Sequence, residues 1–256
     1  MDWVLAAVSA PAFVAALAIT LFAGFVKGAV GFAMPLIMIS AFSAFLTPEF
    51  ALAGLMLPTL VTNLSQAFRQ GVPAARDTAF RYRRFLIGTV VFIAISAQFV
   101  QVIPQTVFLL LLGLPITAFA ALQLAGRSLA LNLRHRERAE WGLGIIGGLY
   151  GGISGIWGPP LLILLLSTSV PKVEAIRAQG VVFLIGAAVL LASHLQTGIA
   201  NPATLAFSAA LVVPAMLGMR IGYLLQDRLP QAQFRHWTQI LLVLTGLNLI
   251  RQAIAG

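Results

Sequence analysis

The sequence has no cysteine and few charged residues. None of the 256 residues is cysteine, which excludes disulfides, thiolate chemistry and cysteine metal sites. Charged residues make up 9% of the chain, whereas they make up about 25% of a typical soluble protein. Hydrophobic residues make up 60%, and the mean hydropathy is +0.97. Composition therefore predicts an all-α integral membrane protein.

Acidic residues are scarce, and they avoid the apolar segments. All seven lie at segment ends or in loops, whereas proton-driven transporters often carry carboxylates in mid-membrane. The chain also lacks a phosphate-binding loop, a carboxylate pair suited to hydrolysis and a histidine cluster suited to metal. We expect no enzyme activity, no cofactor and no metal. If transport is coupled to protons, the proton travels on the substrate or through His194.

The apolar residues form segments long enough to cross a bilayer, for which a helix needs about 20 residues. They lie near residues 3–25, 29–46, 50–68, 85–103 and 105–125, and then near 142–156, 157–170, 175–195, 203–221 and 233–250. No basic residue precedes the first segment, so we interpret it as a retained span and not as a secretory signal. We expect about 8–10 transmembrane helices, and the short segments 29–46 and 157–170 are either full spans or re-entrant.

A glycine and proline pattern occurs twice, at an offset of 124 positions. Gly24, Gly28, Gly31 and Pro35 of the first copy correspond to Gly148, Gly152, Gly155 and Pro159 of the second. Duplicated halves that each contain a broken apolar helix are typical of secondary transporters. We predict a first membrane repeat at 1–125, a basic connecting loop at 126–141 and a second repeat at 142–256.

Loop charges predict that the two repeats are inverted. Loops 69–84 and 126–140 are rich in arginine and are therefore expected on the cytoplasmic side, while the uncharged VQVIPQ is external. The equivalent loops of the second half have the opposite charge pattern, because HLQTGIANP contains no lysine or arginine. Both termini are then external, and the protein is a multi-pass protein of the cell membrane. The net charge of +9 is explained by loops beside anionic lipid, not by nucleic acid.

The glycine runs predict an anion site near mid-membrane. A helix that restarts inside the bilayer at Pro35, or at Pro159 and Pro160, presents free N–H groups and the positive end of its dipole. Gly28, Gly31, Gly152 and Gly155 would then approach the substrate through their backbone. The alternative is close helix packing through small residues, which needs no ligand.

Several polar residues in apolar segments are further candidates for substrate binding. Lys27 offers a positive charge to an anion, or else it extends to the cytoplasmic surface. Ser154, Asn63, Gln66 and Gln179 offer hydrogen bonds, with bonding between helices as the alternative for each. His194 is expected at the external interface.

The segments GFVKGAVGFAMPL and GGLYGGISGIWGPPLLI resemble the TauE/SafE family of sulfite-exporter-like membrane proteins. PEFALAG, with Asn63 and Gly71 after it, and VEAIRAQG, with Gly198 after it, extend the resemblance along most of the chain. Ala33-Met34 and Trp157-Gly158-Pro159 depart from the family's glycine-richer run. The resemblance implies transport of sulfite, a sulfonate or another small sulfur-containing anion.

From these observations we expect a secondary transporter that exports a small sulfur-containing anion by alternating access around a mid-membrane site between the two broken-helix motifs. The alternatives are an anion channel of the same architecture and a non-transporting membrane scaffold. The partners are the small anionic substrate and the lipid bilayer. The apolar surface leaves homo-oligomerisation open.

Overall fold

The computed structural model describes residues 8–127, 130, 135–225 and 231–255, and their regular structure is helical. The first half contains α1 (Ala10–Val30), α2 (Met34–Phe42), α3 (Pro48–Ala67), α4 (Val72–Arg81), α5 (Arg83–Ser96), a 3₁₀ segment (Ala97–Val102) and α6 (Gln105–Leu124). The second half contains α7 (Arg136–Ser154), α8 (Gly158–Ser167), α9 (Lys172–Thr197), α10 (Pro202–Leu225) and α11 (Gln231–Ala255).

Six of the described helices are long and apolar enough to cross a membrane. They are α1, α3, α5 with its 3₁₀ extension, α6, α9 and α10. The helices α2 and α8 have 9 and 10 residues, so each is only about 15 Å long, about half of a 30 Å hydrocarbon core. This length favours the re-entrant alternative for segments 29–46 and 157–170, while the total of eight to ten spans and the inverted repeat stay predictions.

The chain divides into two compact units, and each contains helices from both halves of the sequence. Unit 1 comprises the described residues of Met1–Pro58, Val102–Arg127 and Gly198–Gly256. In unit 1 α1 packs along α10, and α6 packs along α11. A β-carbon added to Gly28 would lie 2.9 Å from the Cα of Gly222, so the backbones of α1 and α10 nearly touch.

A serine in α10 compensates for the proline inside α3. Pro58 has no N–H group, so the carbonyl of Gly54 lacks its helical donor. The Ser208 hydroxyl donates to that carbonyl at 3.3 Å and accepts a hydrogen bond from the Leu57 N–H at 3.1 Å. These two bonds and the aromatic contact of Phe207 with Phe50 hold α3 against α10 inside unit 1. Phe207 also contacts Phe42 at the end of α2.

Unit 2 comprises the described residues of Thr59–Gln101 and Ser128–Thr197. The helices α5 and α7 lie side by side and run in the same direction, because hydrogen-bonded pairs advance together along both. Thr89 Oγ1 donates to the Gly144 carbonyl at 3.2 Å, and Ser96 Oγ donates to the Gly148 carbonyl at 3.1 Å. The glycines of α7 allow this approach, since a β-carbon on Gly148 would lie 2.6 Å from the Thr89 carbonyl oxygen.

One stretch that the charge pattern treats as a loop contains a helix. Within 69–84, α4 is amphipathic, with Ala75 and Thr78 buried and Val72 and Phe80 exposed. Thr78 Oγ1 accepts a hydrogen bond from Arg177 at 2.7 Å, and Arg81 pairs with Glu174. Because charges cover one face, hydropathy alone does not reveal this helix.

Candidate functional site

The first helix break, in unit 1, is built on two residues in the left-handed conformation. Gly31 ends α1 with φ 88° and donates its N–H to the Lys27 carbonyl at 2.7 Å. Ala33 follows with φ 79°, a conformation that costs a residue with a side chain about 1–2 kcal/mol. The helix α2 then begins at Met34 with Pro35 in its first turn.

Lys27 is buried at the first break, in the last turn of α1. It is 1% exposed, so its ammonium group does not extend to the surface as the alternative interpretation required. A buried ammonium group is expensive unless the protein provides interactions for it. The carbonyl end of α1 favours a cation at this position.

The second helix break, in unit 2, has the same conformation at the matching glycine. Gly155 ends α7 with φ 72° and donates its N–H to the Gly151 carbonyl at 2.8 Å. The Ser154 hydroxyl donates to the Tyr150 carbonyl at 2.7 Å and accepts from the Ile156 N–H at 3.1 Å. Ser154 therefore already stabilises the break, and it is fully buried.

Prolines change the number of donors at the two helix starts. The helix α8 begins at Gly158 and continues with Pro159 and Pro160, so two of its first-turn positions have no N–H group. The start of α2 loses one donor in this way, at Pro35. Both starts keep the positive end of the helix dipole, but α2 offers more backbone hydrogen bonds to an anion.

One face of α9 lines the second break. Gln179, Phe183, Gly186 and His194 recur at helical spacing and are buried. The ring of Trp157 stands edge-on to Phe183 with centroids 6.1 Å apart, and its Nε1 would lie 2.9 Å from a β-carbon on Gly186. Since Gly186 is close to the middle of α9, the Trp157 ring lies at mid-depth of this span, with Gln179 and His194 about 10–12 Å away on opposite sides along the axis.

The polar face of α3 packs against the first half of α9 within unit 2. Gln66 donates from Nε2 to the Ile176 carbonyl at 2.8 Å, and a β-carbon on Gly180 would lie 2.8 Å from the Ala67 nitrogen. Asn63 is fully buried on the same face. The structure thus brings Gln66 to the part of α9 that carries Gln179.

His194 is fully buried inside the protein, about one turn before the end of α9 at Thr197, and its interfacial depth stays a prediction. Its Nδ1 lies 3.3 Å from Thr197 Oγ1, and its ring faces the backbone of Gly152 in the last turn of α7. Gly152 of α7 and Gln101 of the 3₁₀ segment lie beside this end of α9, which accounts for the burial of His194.

Glu140, expected at a segment end, is 2% exposed. Arg136 Nε donates to its carboxylate at 2.8 Å, and Arg84, which also pairs with Glu137 at 2.6 Å, lies 3.9 Å away. The neighbouring Tyr82 is buried as well, and burial raises the pKa of its phenol. These ion pairs hold the beginnings of α5 and α7 together at one end of unit 2.

The family model for sulfite exporter TauE/SafE matches residues 16–249, nearly the whole chain. The chain belongs to the TauE/SafE family. Searches of curated proteins and of solved structures gave no match. Membership makes this chain a membrane transporter and not an enzyme, with a small anion as substrate and lipid around it.

Two buried polar groups of the TauE/SafE chain did not stand out in the sequence. The indole Nε1 of Trp157 has no hydrogen-bond partner among the described residues, and Glu140 is enclosed by arginines. The position of Trp157 between Gly155 and Gly158-Pro159 was a sequence signal that its side chain lies at the helix break. The burial of Glu140 depends on the pairing of α5 with α7, which spacing does not reveal.

Proposed function

We propose that this TauE/SafE protein exports sulfite or a small organosulfonate by alternating access, and that the helix breaks bind the anion. The observation that carries this proposal is the restart of a short helix after a left-handed glycine in each unit, within an apolar segment. Backbone broken at membrane depth is tolerated where it lines a cavity or is enclosed by protein. A helix start in that setting favours an anion.

At the first break, Lys27 supplies the positive charge, Gly28 lets α1 pack closely on α10, and Gly31 lets the chain turn from α1 toward α2. The N–H groups of Met34 and Leu36 lie in the first turn of α2 and would donate to the anion, whereas Ile37 N–H is bonded to the Ala33 carbonyl. A charge-assisted hydrogen bond from an ammonium group is about twice as strong as a neutral one. Lys27 is therefore the residue whose loss should weaken anion binding most.

At the second break, Gly152, Ser154 and Gly155 shape the backbone, and the unpartnered indole N–H of Trp157 replaces donors that the prolines remove. Gln179, Asn63 and Gln66 contribute polar groups on the neighbouring faces of α9 and α3. An organosulfonate fits this combination, because its oxygens accept hydrogen bonds and its carbon chain suits the rings of Trp157 and Phe183.

The arginine-rich ends of the helices are cytoplasmic in this proposal. Arg84 and Arg136 lie together at the beginnings of α5 and α7, in agreement with the positive-inside rule for both basic loops. Substrate would enter from the cytoplasm and leave on the external side.

Lys27→Met tests the charge at the first break. Purified protein is titrated with sulfite, sulfate, methanesulfonate and chloride, and thermal stabilisation is measured. Ligand at 100 times its dissociation constant adds about 2.7 kcal/mol to the free energy of unfolding. We expect a selective shift with a sulfur anion and a dissociation constant at least about tenfold higher in Lys27→Met, the equivalent of about 1.4 kcal/mol.

Arg251→Met is the matched control, because Arg251 is exposed near the end of α11. It should bind like the wild type. Counterflow of labelled substrate in proteoliposomes separates a transporter from an anion channel, since only a carrier exchanges label against an opposing gradient. No stabilisation by any sulfur anion, or unchanged binding in Lys27→Met, would contradict the proposal.

A further inference from the structure

His194 is a buried ionisable group that the proposed transport site has not used. It is fully buried in unit 2, 12 Å or so along α9 from the level of Trp157. Thr197 Oγ1 donates to the His194 carbonyl at 3.4 Å, which leaves the hydroxyl oxygen to accept from Nδ1 at 3.3 Å. In this tautomer Nε2 carries a lone pair, and it has no hydrogen-bond partner among the described residues.

Burial disfavours a positive charge on this imidazole, whereas the neighbouring end of α7 favours one. Its ring faces the backbone of Gly152, in the last turn of α7, where the carbonyl groups form the negative end of the helix dipole. A β-carbon on Gly152 would lie 2.6 Å from the Ile93 carbonyl oxygen, so α5 packs directly against Gly152. A proton on Nε2 would turn the lone pair into a donor toward these carbonyl groups.

Few other ionisable groups face this position. Residues 93–102 of α5 and its 3₁₀ extension, 158–167 of α8 and 187–197 of α9 contain no acidic or basic side chain besides His194 itself. Residues 148–155 of α7 add the phenol of Tyr150. No carboxylate therefore competes with His194 for a proton in these segments.

The His194 turn is also tied to the 3₁₀ segment. Gln101 donates from Nε2 to the Thr197 carbonyl at 2.6 Å, and the chain changes from α to 3₁₀ geometry at Ala97, next to Gly152. A charge on His194 would act on the end of α7 and on this segment together.

We propose that His194 takes up a proton together with the substrate anion, so that each favours the binding of the other. This inference rests on the proposed function, because it places a proton-binding residue at the second helix break. By linkage, a proton that raises anion affinity is itself held more firmly when the anion is bound. Anion affinity then rises as the pH falls through the titration of His194.

The experiment measures the dissociation constant of methanesulfonate between pH 5 and 9. The charge of this anion is fixed across the range, which includes the ordinary pKa of histidine, about 6.5. We expect the wild-type affinity to fall about 5-fold or more toward high pH, the lower end of typical coupling between sites. His194→Gln keeps hydrogen bonding but cannot carry the charge, so its affinity should be low and independent of pH.

His135→Gln is the matched control, because His135 is exposed at the beginning of α7 and its loss should leave the pH dependence intact. An undiminished pH dependence in His194→Gln would overturn the proposal. Nuclear magnetic resonance of histidine-labelled protein, assigned by difference from His194→Gln, follows the proton directly. If wild-type protein binds no sulfur anion, the proposed function fails, but a His194 that never titrates overturns the coupling by itself.

Discussion

Left-handed glycines define both helix breaks at the scale of single residues. Gly31 and Gly155 occupy matching positions of the two sequence copies and have φ 88° and 72°. Each donates its N–H to the carbonyl four residues earlier, which completes the last helical hydrogen bond before the chain leaves the helix. The repeated spacing predicted a helix break at these positions, and the positive φ angles explain why each break contains a glycine.

Gly155→Ala should destabilise the protein by about 1–2 kcal/mol, because the added β-carbon is strained at positive φ. Thermal or denaturant unfolding in detergent measures the effect. Gly142→Ala is the control, since Gly142 lies inside α7 and a β-carbon there meets nothing within 4 Å. The control should be neutral or stabilise by about 0.5–1 kcal/mol, and an equal effect of both variants would refute the assigned role.

Ala33 is a residue whose conformation the sequence did not reveal. It has φ 79° although it carries a β-carbon, and it is buried before Pro35. In the second copy the matching residue, Trp157, has φ −126°. The copies therefore share the glycine geometry and differ in the residue that leads into the short helix.

Close helix pairs dominate at the scale of elements. Gly24 and Gly28 of α1 contact α10, and Gly144, Gly148 and Gly152 of α7 contact α5, largely through the backbone. The sequence left two interpretations of these glycines open, packing and substrate binding. The structure shows packing at Gly28 and Gly152, while Gly31 and Gly155 belong to the breaks themselves.

Gly28→Ala separates the two interpretations. The added β-carbon would meet the carbonyl of Met219 and lie 2.9 Å from the Gly222 Cα, so α1 must move away from α10. We expect a loss of about 1–3 kcal/mol in stability, as for other overpacked cores. Unfolding and ligand titration are measured together. Val14→Ala, at an exposed position of α1, is the control, and weaker binding without loss of stability would instead indicate direct contact with substrate.

Most long helices could be predicted from apolar length alone, because a span must satisfy its backbone internally. The short helices α2 and α8 could be located from glycine and proline, but their lengths could not be fixed. The helix α4 and the burial of His194 and Glu140 were missed, since they depend on which helices pair. Pairing between α1 and α10, about 190 positions apart, leaves no local signal in hydropathy.

Sidedness belongs to the scale of the whole molecule, and the absence of cysteine makes it simple to test. Single cysteines replace Arg76 in α4 and Val102 at the end of the 3₁₀ segment, both of which are exposed. A membrane-impermeant maleimide should label Arg76→Cys only in inside-out vesicles and Val102→Cys only in intact cells. Labelling of both positions from the same side would contradict the predicted topology.

The composition of the units has a consequence for synthesis. The partner of α1 is α10, which begins at Pro202, so the ribosome needs about 10–40 s to supply it at 5–20 residues per second. During that time Gly24 and Gly28 of α1 lack the backbone of α10 against which they pack. Assembly of unit 1 is therefore largely post-translational, and the insertion machinery has to hold an unfinished, partly polar helix until the last quarter of the chain arrives.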